Sequence, residues 1–68
     1  MNEILARFGR KLRTIRTEKG ISQEELAQRS GLHRTYVSSV ERGERNISLV
    51  NIAKLAGALG IKLPDLMP

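Results

Sequence analysis

The stretch from Ser22 to Gly43, SQEELAQRSGLHRTYVSSVERG, constrains the fold of this chain more than any other segment. Ser22 can accept a hydrogen bond from the backbone N–H of Glu25. The Glu25 carboxylate can reach back to the Ser22 N–H, and the two together make a capping box. Ile21 just before the cap and Leu26 within the helix have the spacing of a hydrophobic staple. The helix started in this way stops at Ser30-Gly31, where glycine enters the left-handed region without the steric cost of a Cβ. Leu32 restarts the apolar pattern. Tyr36, Val37 and Val40 continue it at steps of four, one and three, which is one face of a second helix ended by Gly43. The segment therefore predicts two short helices across a tight turn. Arg34, Thr35, Ser38 and Ser39 fall on a polar face of the second helix that the core does not claim.

The flanks follow the same grammar. A first helix is predicted from about Asn2 to Lys19, with Ile4, Leu5, Phe8, Leu12 and Ile15 as its core stripe and Gly20 as its end. Its cations Arg7, Arg10, Lys11, Arg13, Arg16 and Lys19 read as a mostly solvated face. After the loop Glu44-Arg45-Asn46-Ile47, Ser48 is the next N-cap. A helix from about Leu49 to Leu59 then carries Leu49, Ile52, Ala53, Leu55, Ala56 and Leu59 as its apolar stripe, and Gly60 stops it. A last turn begins near Leu63, with Pro64 at its first position, where a missing N–H costs nothing. No strand-like alternation, repeat or linker interrupts the pattern. The expected fold is all-α, a compact bundle of about five short helices forming one domain over residues 1–68.

Sixty-eight residues bury only about 60% of the unfolded surface, which leaves a domain marginal as a monomer. There is no cysteine to add a disulfide or a thiolate metal site, so self-association is a physically reasonable source of stability. The C-terminal part offers Ile52, Leu59, Ile61, Leu63, Leu66 and Met67, more apolar surface than a four-helix core needs, and these are the expected dimer contacts. No apolar run approaches the ~20 residues that span a bilayer, and Met-Asn-Glu does not open a secretory signal, so no membrane partner is expected and the cytoplasm is the default compartment. Twelve Lys and Arg against seven Asp and Glu give a net charge of +5, which favours an anionic partner. Joined to the two-helix unit, that charge points to double-stranded DNA, with the second helix in a major groove.

Particular side chains suit that task. Arg34 opens the second helix, where its guanidinium can give two parallel hydrogen bonds to O6 and N7 of guanine; a phosphate contact is the alternative. Thr35 can meet a base through its hydroxyl or touch a thymine methyl. Ser38 and Ser39, about one turn on, can reach base or backbone, or simply provide clearance. Gln23 and the free N–H groups of its helix end can hold a phosphate. His33 is open between phosphate contact and a capping or packing role, and Tyr36 between core packing and a hydroxyl extended to phosphate. Arg42, Arg45, Asn46 and Ser48 surround the next helix start and can clasp the flanking strand. Glu44 among them opposes phosphate.

SQEELAQ, a small residue and glycine, then a polar helix ending in ERG resemble the lambda-type (Cro/C1-type) helix-turn-helix of phage repressors and Cro proteins. The longer run HRTYVSSVERGERNISL resembles more narrowly the controller proteins of restriction–modification systems, small dimeric regulators that time expression of the restriction enzyme. The resemblance implies that Gln23 holds phosphate and braces the recognition helix, and that Asn46 also binds phosphate. It further implies that Arg16 and Glu41 form a partly buried pair tying the first helix to the third. The expected function is a homodimeric, sequence-specific transcriptional regulator on a pseudo-palindromic operator, controlling restriction–modification genes. An antitoxin masking a toxin and a phage-type repressor are the rival readings. One histidine, no cysteine and an adjacent Glu24-Glu25 on different helical faces offer no catalytic or metal-binding spacing, and no cofactor or small-molecule ligand is expected. Aromatic residues at 3% leave few stacking platforms for RNA.

Overall fold

The computed structural model describes residues 2–68; Met1, the first residue of the Met-Asn-Glu opening, lies outside them. Helix α1 spans Glu3–Glu18, with Asn2 Oδ1 accepting from the Ile4 N–H at 3.0 Å. It closes in a Schellman motif: the Ile21 N–H donates to Arg16 O at 3.1 Å and the Gly20 N–H to Thr17 O at 3.0 Å. That turn swings Ile21 into the core, directly ahead of the next cap.

The central pair is α2, Gln23–Ser30, and α3, Arg34–Glu41. Ser22 Oγ accepts from the Glu25 N–H at 3.0 Å, but only this half of the expected capping box forms. The Glu25 carboxylate instead pairs with Arg29 one turn on, where a guanidinium offers a charged donor in place of a neutral N–H. Ile21 and Leu26 are both buried, as a staple requires. A second Schellman motif ends α3, with the Gly43 N–H on Val40 O and the Glu44 N–H on Ser39 O, both at 3.0 Å. Gly43 has φ +74°, and a Cβ there would lie 2.8 Å from the Ala6 Cα, so conformation and space both demand glycine.

Helix α4, Leu49–Leu59, starts with Ser48 Oγ accepting from the Asn51 N–H at 3.1 Å. Helix α5, Leu63–Leu66, is a single turn. Lys62 is its N-cap, so Pro64 takes the second helical position rather than the first; its missing N–H is still one that the first turn leaves without a partner.

The helices enclose one core: Phe8 and Leu12 of α1, Ile21, Leu26 and Ala27, Val37 and Val40 of α3, Ile52, Leu55, Ala56 and Leu59 of α4, and Leu66. Helix α3 packs between α1 and α2, α4 lies on α2, and α5 folds back on α4 and α1. Three sequence expectations change here. Ile4 is 55% exposed, and Leu5 and Ile15 are only partly buried, so the α1 stripe is narrower than its periodicity suggests. Leu49, at 66% exposure, and Ala53 also lie outside the core, because α4 is covered only where it meets its neighbours. Finally, Ile52, Leu59 and Leu66 are core residues of a single chain, so their surface is already spent and they cannot serve as dimer contacts in this structure. Ile61 and Leu63 are half-buried, and Met67 is exposed.

Candidate nucleic-acid interface

Helix α3 is held from behind by a polar network. Arg16 donates through Nε to Glu41 Oε2 at 2.6 Å, through Nη2 to Glu41 Oε1 at 3.0 Å, and through Nη1 to Ile21 O at 2.8 Å. Gln23 Nε2 adds a further bond to Glu41 Oε1 at 3.0 Å. Three helices are thereby joined at one carboxylate. Among the described residues, no buried side-chain nitrogen or oxygen lacks a partner. The hydrogen bond to Glu41 raises the Arg16 pKa above its ordinary value, against the opposing effect of burial. The backbones also approach closely here: a Cβ on Gly9 of α1 would fall 2.5 Å from the carbonyl oxygens of both Val40 and Glu41. Gln23 is therefore already engaged on its inner side, and its second amide hydrogen has no partner among the described residues.

The opposite face of α3 is open. Arg34, Thr35, Ser38 and Arg42 line a shallow hollow of about 180 Å3. Arg42 reaches across it, donating through Nη1 to Ser38 Oγ at 2.5 Å and through Nε to Glu44 Oε1 at 3.1 Å. Ser39 does not belong to this face. It is buried, and its hydroxyl donates to Tyr36 O at 2.9 Å. The structure thus removes Ser39 from the base-reading candidates and keeps Arg34, Thr35 and Ser38 together.

A larger cavity of about 390 Å3 opens beside the start of α3, lined by Gly31, Leu32, His33, Tyr36, Arg45 and Asn51. His33 is the N-cap of α3 but makes no side-chain capping bond, and it is exposed. The Tyr36 ring is half-buried against the core and carries the Arg45 guanidinium 5.2 Å above its centroid. Asn51 Nδ2 donates to Tyr36 Oη at 3.1 Å. Asn46 is exposed nearby in sequence, and Ser48 uses an oxygen lone pair as the α4 cap, which leaves its hydroxyl proton available. Asn51 was not among the sequence candidates. Its partner is 15 positions away, and a polar residue in a first helical turn gives no signal of that contact.

The charge distribution separates the same groups. Among the described residues the ion pairs are Arg16–Glu41, Arg29–Glu25 and Arg42–Glu44, so Arg34 and Arg45 pair with no carboxylate. Nor do any described His, Asp or Glu side chains gather into a metal-binding group.

Comparison with known proteins places this geometry. The helix-turn-helix family model matches residues 12–66. The chain is 52% identical to the control protein C.MunI of a Mycoplasma species over 67 residues, covering 97% of this chain and 90% of that one. Among solved structures it is similar to the restriction-modification controller protein C.AhdI from Aeromonas hydrophila, with a TM-score of 0.91, 60% identity, and coverage of 93% of this chain and 96% of that one. It is also similar to the controller protein C.Esp1396I, solved as a tetramer in complex with its natural 35 base-pair operator. Here the TM-score is 0.87 at 34% identity, covering 91% of this chain and 82% of that one.

Proposed function

We propose a function from the premise that this chain belongs to the helix-turn-helix family: it is a DNA-binding regulator related to the controller proteins of restriction–modification systems. The single observation that carries this reading is the division of α3 into a back locked by Glu41 and an open front where Arg34 and Thr35 have no side-chain partner and Ser38, accepting from Arg42, keeps its hydroxyl proton. A rigid helix with free donors is what direct readout of base edges requires. Arg34 reads guanine, and Thr35 and Ser38 contact bases beside it. Gln23, His33, Tyr36, Arg42, Arg45, Asn46 and Ser48 hold the sugar–phosphate backbone. The operator-bound C.Esp1396I structure supports the same mode of binding here.

The chain acts in the cytoplasm as a homodimer on a pseudo-palindrome, with half-sites separated by about one helical turn or a multiple. Residues 1–68 form the DNA-binding domain, and the C-terminal part contributes the dimer contact. The surface suited to that contact is the exposed side of α4, where Leu49 and Val50, 66% and 64% exposed, lie beside Ala53, with Ile61, Leu63 and Met67 beyond the helix. An exposed apolar surface of this kind suits a partner. Its regulated genes are those of a restriction–modification system, by relation to C.MunI and C.AhdI.

Selection of bound duplexes from a random pool, followed by footprinting, tests the reading. Arg34→Ala should then cost about 1–3 kcal/mol per half-site and relax preference at one base pair. Equal weakening of every single-base variant would make Arg34 a phosphate contact instead. Sedimentation showing only monomer at micromolar concentration, and monomer on DNA, would remove the dimer.

A further inference from the structure

We propose that Asn51 is a positioning residue, which turns the Tyr36 hydroxyl into a hydrogen-bond donor aimed at a DNA phosphate in the cavity beside α3. The proposal rests on the DNA-binding reading above. A phenol carries one proton and can also accept. Asn51 Nδ2 donates to Tyr36 Oη at 3.1 Å, so an acceptor site of the oxygen is occupied and its proton is left for another partner. Neither a carboxylate nor a buried, unpaired side-chain acceptor competes for that proton among the residues lining the cavity. The Arg45 guanidinium over the ring adds positive potential at the same rim, and His33 stands at the other side of the opening. An oxyanion is the acceptor these groups suit, and a backbone phosphate beside the major groove supplies one.

Position also makes the residue testable. Asn51 is the third residue of α4, and its backbone N–H, not its side chain, receives the Ser48 cap. An acidic side chain there suits the positive end of the helix. Asn51→Asp should therefore leave the thermal midpoint equal to or above that of the wild type. Its carboxylate would nevertheless accept the Tyr36 O–H proton and repel phosphate. Fold stability and DNA affinity should move in opposite directions, which a merely structural role for Asn51 does not produce.

The experiment measures affinity for the selected operator, and thermal midpoints, for wild type, Tyr36→Phe, Asn51→Ala, the double variant and Asn51→Asp. Tyr36→Phe and Asn51→Ala should each weaken binding about three- to tenfold per half-site, the scale of one hydrogen bond. The double variant should be no weaker than Tyr36→Phe alone, and Asn51→Asp should bind at least as poorly as Asn51→Ala. If the two single losses multiply, if Tyr36→Phe binds as well as wild type, or if Asn51→Asp retains full affinity, this proposal is overturned while the DNA-binding reading stands. A wild-type chain that selects no DNA overturns both.

Discussion

Two arginine–glutamate pairs stand on opposite sides of the C-terminal end of α3, and they differ in almost every respect but composition. Arg16 and Glu41 lie behind the helix, with side chains 10% and 3% exposed, and share a two-pronged contact reinforced by Ile21 O and Gln23. Arg42 and Glu44 lie in front, both 53% exposed, joined by one bond at 3.1 Å. The inner pair has exchanged water for a complete set of protein partners, so losing either member strands a buried charge. The outer pair remains in solvent and contributes little to the fold, and a phosphate can displace it at little cost. The same chemical groups thus stand on two faces of one helix, and burial separates a pair committed to the fold from one left accessible to a partner.

The hardest way to break this contrast is to cut the inner pair. Arg16→Ala or Glu41→Ala should cost about 3–5 kcal/mol. In a domain this small that should abolish the cooperative melt seen by circular dichroism. Arg16→Lys keeps the charge but loses the planar fork and should fall between. The raised Arg16 pKa works in the same direction: its stabilising effect is complete below the ordinary guanidinium range and is lost only as pH climbs through the raised value, so the contribution of this pair should be flat across the neutral and moderately alkaline range. Next in size is Gly9→Ala, which presses a methyl group into the Val40 and Glu41 carbonyls and should cost about 1–3 kcal/mol by denaturant titration. A neutral result would show that the inner side is less rigid than its contacts indicate. Arg45→Ala should leave the fold intact, weaken all DNA sequences alike, and make the slope of log K against log salt shallower by about 0.9 per contact. An unchanged slope would take Arg45 off the backbone. The smallest effect belongs to the outer pair: Glu44→Ala should shift stability by less than about 0.5 kcal/mol. A larger loss would erase the distinction between the two faces.

The parts of this design that were legible in the chain were those written in local spacing. Ser22, Ser48 and the glycines at positions 31, 43 and 60 act within a few residues of themselves, and they end or start helices where those spacings place them. Contacts that depend on distant partners were read less well. Ser39 shares its residue type and neighbourhood with Ser38, yet in the folded chain Ser39 is buried and bonded to Tyr36 O while Ser38 lines the open hollow. Glu25 obeys the capping-box spacing but takes Arg29. Leu49 and Leu59 read alike on an apolar stripe, yet Leu59 is buried in the core and Leu49 is left exposed.

Helix number and helix ends were determined by the sequence alone, because capping, turn conformation and hydrophobic period are set by neighbours three or four residues apart. Only the tertiary structure decided which apolar residues remain outside the core, that Gln23 joins the Arg16–Glu41 pair the family resemblance implied, and that Asn51 meets Tyr36. Those outcomes depend on where whole helices come to rest against one another. A residue's burial, and so the strength of its charge and the direction of its hydrogen bonds, is a property of that arrangement and not of its local sequence.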